Sequence, residues 1–475
     1  MTTSASRILI HRPFKSAFAD YPGITFILMS ASIFGTDGVR GIPGEYPLDQ
    51  ATIARLGAST VRVVNTRRPK LLVARDTRES GPWIERQLAA GVAAERGTLI
   101  SVGVMPTPAA AFLAVSERFD AAFVVSASHN PFPDNGIKVL TGYGAKASLQ
   151  LESQLSEAIQ GTSWPHTFSP VEVLETRDLT DAYMEHARCV LGRAGHLASS
   201  RIAIDCANGA MSVVAPRLFR QLGFDVIALN ADPDGQNINK RCGSTHPEGL
   251  KEVVCSRGCR LGVAFDGDGD RAILVDDLGN VADGDAMLFI CATHLQSNGA
   301  LPGSAVVATV MSNIGLELAL RRAGIVLHRC PVGDRQVLEE MRRRNTVLGG
   351  EQSGHIIFSD VLPTGDGLLT TLSVLKVMVD TRRELSDLRS GLEIYPQVLL
   401  NVRVKAKPDL ETEPHIAEAV RHAEATLGGD GRVLVRYSGT EPLLRIMIEG
   451  QDRAVVDELA RAVAQCARDR LGAVG

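Results

Sequence analysis

Three aspartates alternate with glycines in "FDGDGDRAILVDD": Asp266, Asp268 and Asp270. In an extended segment, residues at i, i+2 and i+4 face one side. Gly267 and Gly269 let the backbone bend so that the three carboxylates converge. Clustered carboxylates repel each other, so a cation is their natural partner. An all-oxygen ligand set favours Mg²⁺ or Ca²⁺ over zinc. An EF-hand is a poor match, because Arg271 and Asp277 stand where that loop wants glycine and glutamate. Arg271 beside the cluster instead points to an anion near the metal. Mg²⁺ combines a few carboxylates with phosphate oxygens or water, so a phosphate is expected close by.

Other stretches could supply it. "VVSASHNPFPDNGIKVL", from Val124, ends an apolar run on Ser126, Ser128, His129 and Asn130. A serine at a strand end can be a phosphorylation site or a nucleophile. Phosphorylation of Ser128 would add about −1.5 to −2 charges and oxygens for the metal. His129 and Lys138 could then handle protons or transition-state charge. Taken alone, the stretch also reads as an Asn130–Pro131 turn with capping serines. In "VRYSGTEPLLRIMIEG", Ser438, Gly439 and Thr440 form a tight turn after Arg436. Successive backbone N–H groups in such a turn make an anion nest, which Arg436 and Arg445 could complete as a bidentate clamp. "GGEQSGH" offers Glu351, Ser353 and His355, suitable partners for sugar hydroxyls, although a plain connecting loop has the same composition. Arg40, in "FGTDGVRG", gains weight only from this company.

The elements that must position these loops follow a pattern repeated three times. The first copy runs "KLLVARD", a helix near Trp83–Arg96, "TLISVGV", a helix near Thr107–Arg118, and "AAFVVSA". The second runs "RIAIDCA", a helix near Ser212–Leu222, "DVIAL", a helix near Pro247–Ser256, and "RLGVAFD". The third runs "SAVVATV", a helix near Ile314–Ala323, "IVLHRC", a helix near Asp334–Arg344, and "TVLGGE". Apolar runs alternating with helical stripes predict α/β units with largely parallel strands. In each copy the last strand enters a loop rich in functional groups. Ligands bind beyond the carboxyl ends of strands in open α/β sheets, so the three loops could share one cleft. From about Val398 the order strand–helix–strand–strand–helix predicts a small α+β domain.

Together these motifs resemble the α-D-phosphohexomutase superfamily and, within it, the bacterial phosphoglucosamine mutases. The resemblance runs from about Ser32 to the end. It rests on "SASHNP…DNGIK", "DGDGDR", "GEQSGH" and "RYSGTEPLLR" in the family's order, supported by "FGTDGVRG", "PDGQNINKRCGSTH" and "VGDR". Gln352 in the third loop resembles the glucosamine enzymes more than the glucose or mannose enzymes. The resemblance implies three similar α/β domains with mixed sheets around a central cleft, plus a smaller C-terminal α+β domain. The expected divisions are an extension over 1–31, then domains over 32–185, 186–285, 286–396 and 397–475. It implies phosphate on Ser128, with Ser126 unused, and one Mg²⁺ held by that phosphate and by Asp266, Asp268 and Asp270. Arg40, His129, Lys138 and Arg271 would assist catalysis. Glu351, Ser353 and His355 would bind the sugar, and Arg436, Ser438, Gly439, Thr440 and Arg445 the non-reacting phosphate. The implied reaction is isomerisation of glucosamine 6-phosphate to glucosamine 1-phosphate through the 1,6-bisphosphate, feeding UDP-N-acetylglucosamine synthesis. A phosphomannomutase or phosphoglucomutase with the same machinery, or a Mg²⁺-dependent sugar phosphatase, is the alternative.

Bulk properties are those of an ordinary globular protein. The 475 residues are 45% hydrophobic and 22% charged, with a net charge of −4. That balance carries no nucleic-acid footprint. No run approaches the roughly 18 apolar residues that would span a membrane. Eight scattered cysteines without a CxxC pair predict structural thiols in a reducing, cytoplasmic setting. Residues 1–28 read as an extension or an upstream start. The resemblance allows a homodimer, but no interface signature is visible.

Overall fold

The structure is a computed structural model that describes residues 32–35, 37–64, 66–161, 164–165, 167–438 and 441–472. The extension over 1–31 and the turn residues Gly439 and Thr440 lie outside the described residues.

Three sheets share one strand order. In the first domain, Asn135–Thr141, Ala121–Val125, Lys70–Arg75 and Thr98–Val104 lie side by side, flanked by the short strands Val39–Gly41 and Glu175–Thr176. The second repeats the order with Ala272–Val275, Leu261–Phe265, Arg201–Asp205 and Asp225–Leu229, and adds Val281–Ala282 at one edge. The third uses Ile356–Phe358, Leu348–Gly350, Ala305–Thr309 and Val326–Cys330. The inner trio of each sheet is parallel, as the strand–helix alternation predicts. The fourth strand breaks that expectation and runs antiparallel. The reason is its connection. A loop with no crossover helix joins it to the strand before, and such a link permits only a hairpin. The sheets are therefore mixed, and each functional loop is the bend of one of these hairpins.

The strands Ala121–Val125, Leu261–Phe265 and Ala305–Thr309 are buried throughout. Near-continuous apolar runs are what a parallel sheet covered on both faces requires. One face of the first sheet packs on helices Gln50–Val64 and Gly81–Ala94 through Leu71, Val73, Ile84 and Leu88. The other face joins a core continuous through the first three domains, from Leu72 and Val124 through Phe219 and Phe265 to Leu316 and Leu372. Helix Thr180–Leu191 lies against helix Gly367–Thr381 across that core. Tyr183 Oη donates to Asp366 Oδ2 at 2.8 Å, and Asp366 also caps the second helix at Leu368 and Leu369. Burial pushes the Asp366 carboxyl up to about 7 despite these donors.

The fourth domain is the predicted α+β unit. Its three-stranded antiparallel sheet places Leu443–Glu449 between Gln397–Arg403 and Arg432–Tyr437, under helices Pro414–Leu427 and Arg453–Leu471. Its core, including Val402, Leu444, Ile446 and Val463, is separate from that of the other domains. Polar links tie it to the third domain. Arg432 donates to Ser312 O at 3.1 Å and Gln451 Nε2 to Tyr395 Oη at 3.4 Å, while Asn313 holds the Tyr395 backbone from within the third domain, donating to its O at 2.9 Å and accepting from its N at 3.0 Å.

All eight cysteines are free, with Cys189 and Cys255 exposed. Cys206, Cys242, Cys259, Cys291 and Cys330 are buried, and burial pushes the thiols of Cys242 and Cys291 up to about 12. The thiolate is the reactive form. A thiol reagent at neutral pH is therefore expected to label Cys189 and Cys255 rapidly and the buried five only on unfolding. Peptide mapping after labelling checks this, and rapid modification of Cys206 or Cys291 in native protein would contradict it.

Candidate active site

The metal loop is a turn between Leu261–Phe265 and Ala272–Val275, not the extended segment the alternation suggests. Its aspartates converge all the same. Oxygens of Asp266, Asp268 and Asp270 lie within 4.8 Å of one another, and all three residues are buried. Gly267 is required by close approach, since a Cβ there would come within 2.5 Å of Ser128 O. Burial, then the neighbouring Asp270 and Asp268, push the Asp266 carboxyl well above its ordinary range. Burial is the largest single influence on Asp270 and works to raise it, but Lys138, His355 and Arg271 together hold that carboxyl well below the usual value.

Ser128 follows the strand Ala121–Val125 and is almost fully buried. Its Oγ donates to Asp266 Oδ2 at 2.6 Å, which puts the serine of the first domain on the metal loop of the second. His129 Nδ1 is 3.4 Å from Ser128 Oγ and 3.5 Å from Arg271 Nη1. Burial, then Arg271 and Arg40, lower the affinity of His129 for a proton. Lys138 lies on the return strand, with Nζ 2.8 Å from Asp268 and 3.1 Å from Asp270. Arg40 donates to Ala127 O at 3.1 Å and pairs with Asp37. Ser126 is fully buried and turned away, donating to Asp76 Oδ2 at 2.5 Å.

The third loop stacks on the second. Ala272 N donates to Gly354 O at 3.2 Å, and a Cβ on Gly354 would meet Ala272 O at 2.0 Å. Glu351 accepts from Gly333 N at 3.1 Å, and Ser353 is exposed at the turn. His355 is buried, with Nδ1 3.7 Å from Asp270 Oδ1 and Nε2 accepting from Gly365 N. It faces the metal loop rather than open solvent.

On the fourth domain, Arg436 and Arg445 are direct cross-strand partners. Like charges placed opposite each other are destabilising unless an anion joins them. Burial and the neighbouring Arg445 lower the proton affinity of Arg436. Ser438 Oγ accepts from Glu441 N at 3.3 Å, and Lys407 Nζ donates to Ser438 O at 2.6 Å. These arginines line a shallow pocket with Met311 of the third domain. Among the described residues, none of their hydrogen bonds reaches the Ser128 cluster.

Several residues that touch this centre escaped sequence reasoning. Thr107 donates to Asp268 through its hydroxyl and through its backbone N–H at 2.9 Å. Asp37, Lys146 and Asp334 form a charged bridge between the first and third domains, with Lys146 Nζ 3.0 Å from Asp334. Arg335 reinforces it on Glu152 at 2.5 Å. Asp37 and Asp334 lie inside "FGTDGVRG" and "VGDR", so the motifs flagged their neighbourhood. Lys146 and Thr107 carry no local signal.

The donor set suits a hard divalent cation. Asp268 Oδ1 and Asp270 Oδ1 are buried and accept no hydrogen bond, which leaves two oxygens for a metal. Among the described residues the candidate cluster is made of three carboxylates alone, and such an all-oxygen set fits Mg²⁺.

The chain matches all four parts of the phosphoglucomutase/phosphomannomutase family: α/β/α domain I over residues 31–166, domain II over 181–279, domain III over 283–395 and the C-terminal domain over 399–465. A Burkholderia thailandensis protein of that family shares the fold, with a TM-score of 0.77 at 27% identity, covering 94% of this chain and 99% of that one. The chain therefore belongs to the phosphoglucomutase/phosphomannomutase family. Its relatives narrow this to one group, the phosphoglucosamine mutases, which are isomerases. The phosphoglucosamine mutase of Solibacter usitatus is 42% identical over 94% of this chain and all of its own length. That of Desulforudis audaxviator is 45% identical over 93% of this chain and its full length. No described helix is long and apolar enough to cross a membrane.

Proposed function

We propose that the enzyme interconverts glucosamine 6-phosphate and glucosamine 1-phosphate by passing a phosphoryl group through Ser128. The observation that carries this reading is the 2.6 Å contact between Ser128 Oγ and Asp266, inside a carboxylate triad two of whose oxygens accept no hydrogen bond. Phosphoryl transfer needs positioning and charge stabilisation more than covalent chemistry. Phosphoserine gives its phosphoryl group to one sugar hydroxyl, making glucosamine 1,6-bisphosphate. The bisphosphate turns over in the cleft and returns its other phosphate to Ser128. Asp266, Asp268, Asp270 and the phosphate would hold Mg²⁺, which supplies positive charge to the transferring oxygens. Arg40, bonded to Ala127 O, and Arg271, beside His129, would add fixed positive charge near Ser128. His129, with Nδ1 3.4 Å from Ser128 Oγ, would exchange a proton with the reacting hydroxyl. Lys138 is engaged by Asp268 and Asp270, so its role is to hold charge balance in the centre. Glu351 and Ser353 would read the sugar in both orientations, with His355 supporting their loop from behind. Arg436, Ser438, Gly439, Thr440 and Arg445 would grip the phosphate that does not react, and its charge would relieve the Arg436–Arg445 opposition.

Comparison of kcat/KM for glucosamine 6-phosphate, glucose 1-phosphate and mannose 1-phosphate tests the substrate. Glucosamine 6-phosphate is expected to lead by at least about tenfold, roughly 1.4 kcal/mol of transition-state preference. A tenfold preference for either neutral sugar would overturn the assignment. Free phosphate appearing at the rate of sugar turnover would favour a phosphatase instead.

A further inference from the structure

Ser128 is a non-glycine residue in the left-handed region, with φ of +52°. A residue stays there only when its surroundings over-determine it. The carbonyls of Ser128 and Asn130 lie beyond the strand end Val125, and side chains satisfy them. Asn239 Nδ2 donates to Ser128 O at 2.8 Å and to Asn130 O at 2.9 Å. Arg78 Nη2 donates to Asn130 O at 2.6 Å and to Ser128 O at 3.4 Å. Arg78 is fully buried against Asp76, the same carboxylate that accepts from Ser126, and Ser126 Oγ accepts from Ser128 N at 2.9 Å. The Ser128 N–H and the carbonyls of Ser128 and Asn130 are thus all held.

Asn239 is the handle that comes from another domain. It sits in "PDGQNINKRCGSTH", itself left-handed at φ +57°, and its N–H donates to Ala207 O at 2.9 Å. The same loop docks on the first domain at a second point. Glu79 N donates to Gly235 O at 3.1 Å, and Gln236 Nε2 donates to Glu79 Oε2 at 2.8 Å. Ser128 and its acceptor Asp266 belong to different domains, so their 2.6 Å contact depends on what joins those domains at this spot.

We propose that Asn239 is a positioning residue, whose carboxamide holds the Ser128–Asn130 turn so that Ser128 Oγ points at the metal loop. This rests on the reading of Ser128 as phosphoryl carrier. A carboxamide has one hydrogen for each carbonyl. An isosteric carboxylate has none, so Asn239→Asp sets acceptors against acceptors.

The test measures kcat and KM with glucosamine 6-phosphate for full-length Asn239→Asp, Asn239→Ala, Gln236→Ala and Ser128→Ala, alongside melting temperature and intact mass. Misaiming a reacting group by about 1 Å costs on the order of 10²-fold in rate. Both Asn239 variants are expected to lose about that much kcat, with KM within about twofold and phosphate still carried on the protein. Gln236→Ala, which removes a docking bond without touching the turn, should keep wild-type kcat. Should Asn239→Asp fail to fold, Asn239→Ala carries the same expectation. Wild-type kcat in Asn239→Ala would overturn the proposal, as would an equal loss in Gln236→Ala, which would make the effect one of loop docking. Inactive Ser128→Ala beside fully active Asn239→Ala defeats only the role of Asn239. Active Ser128→Ala defeats the phosphoserine reading itself.

Discussion

Ser128→Ala is expected to lower turnover by about 10⁴-fold or more while the protein stays folded, the scale seen when a covalent nucleophile is removed. No second hydroxyl can take over. Ser126 is fully buried and committed to Asp76, with its oxygen also accepting the Ser128 N–H. Thr107 is committed to Asp268. The structural cost is small by comparison. Alanine brings the same Cβ into that backbone, and the lost bond to the buried Asp266 carboxylate is worth about 1.5–3 kcal/mol. Steady-state kinetics with added glucosamine 1,6-bisphosphate, together with circular dichroism, checks both halves. Activity within tenfold of wild type in folded Ser128→Ala would remove the phosphoserine route. Intact mass gives a parallel reading: one phosphate on the wild-type peptide containing Ser128, and none on the variant.

Chelation should have the next largest effect. Removing divalent cations with EDTA is expected to lower kcat by about 10³-fold, and Mg²⁺ should restore it, because a bound cation supplies several kcal/mol of charge stabilisation in such reactions. The triad explains the size. Without a cation, Asp266, Asp268 and Asp270 must share one buried volume, with Lys138 as the ammonium 2.8 Å and 3.1 Å from the last two. Two carboxylate oxygens there have no hydrogen-bond partner. Mg²⁺ should also raise the melting temperature, since it binds the folded state alone. Asp268→Asn should abolish that rise and most of the turnover together. Full activity in protein shown to be metal-free by elemental analysis would remove the metal from the reaction.

Much of this architecture is legible in the chain. The helices Asp334–Arg344 and Ile314–Arg322 lie where the apolar stripe predicts, because their buried faces follow the helical period. The fourth domain follows the predicted order of elements, strand–helix–strand–strand–helix. The return strands are the main departure. "NGIKVLT", "AILV" and "IIF" are apolar runs like any other, and strand direction is set by the length and kind of connection rather than by composition. Helices such as Thr180–Leu191 and Gly367–Thr381 also escaped, because the surface they bury belongs to another domain.

The sequence by itself marked which loops are candidates for chemistry. Asp266, Asp268 and Asp270 announce a cation by type and spacing, and Arg436 and Arg445 beside a glycine turn announce an anion. Ser128 with His129 and Glu351 with Ser353 stand out only through the family resemblance, because a capped turn or a connecting loop has the same local composition. Tertiary structure alone decided which partner each group meets. It put Ser128 on Asp266 from another domain, turned Ser126 onto Asp76, engaged Lys138 with two aspartates and turned His355 toward Asp270. It also brought Asn239 and Arg78 to the two carbonyls of the serine turn. Those pairings join residues far apart in sequence. Their energies depend on burial and on distances of a few ångströms, which only the packed domains set.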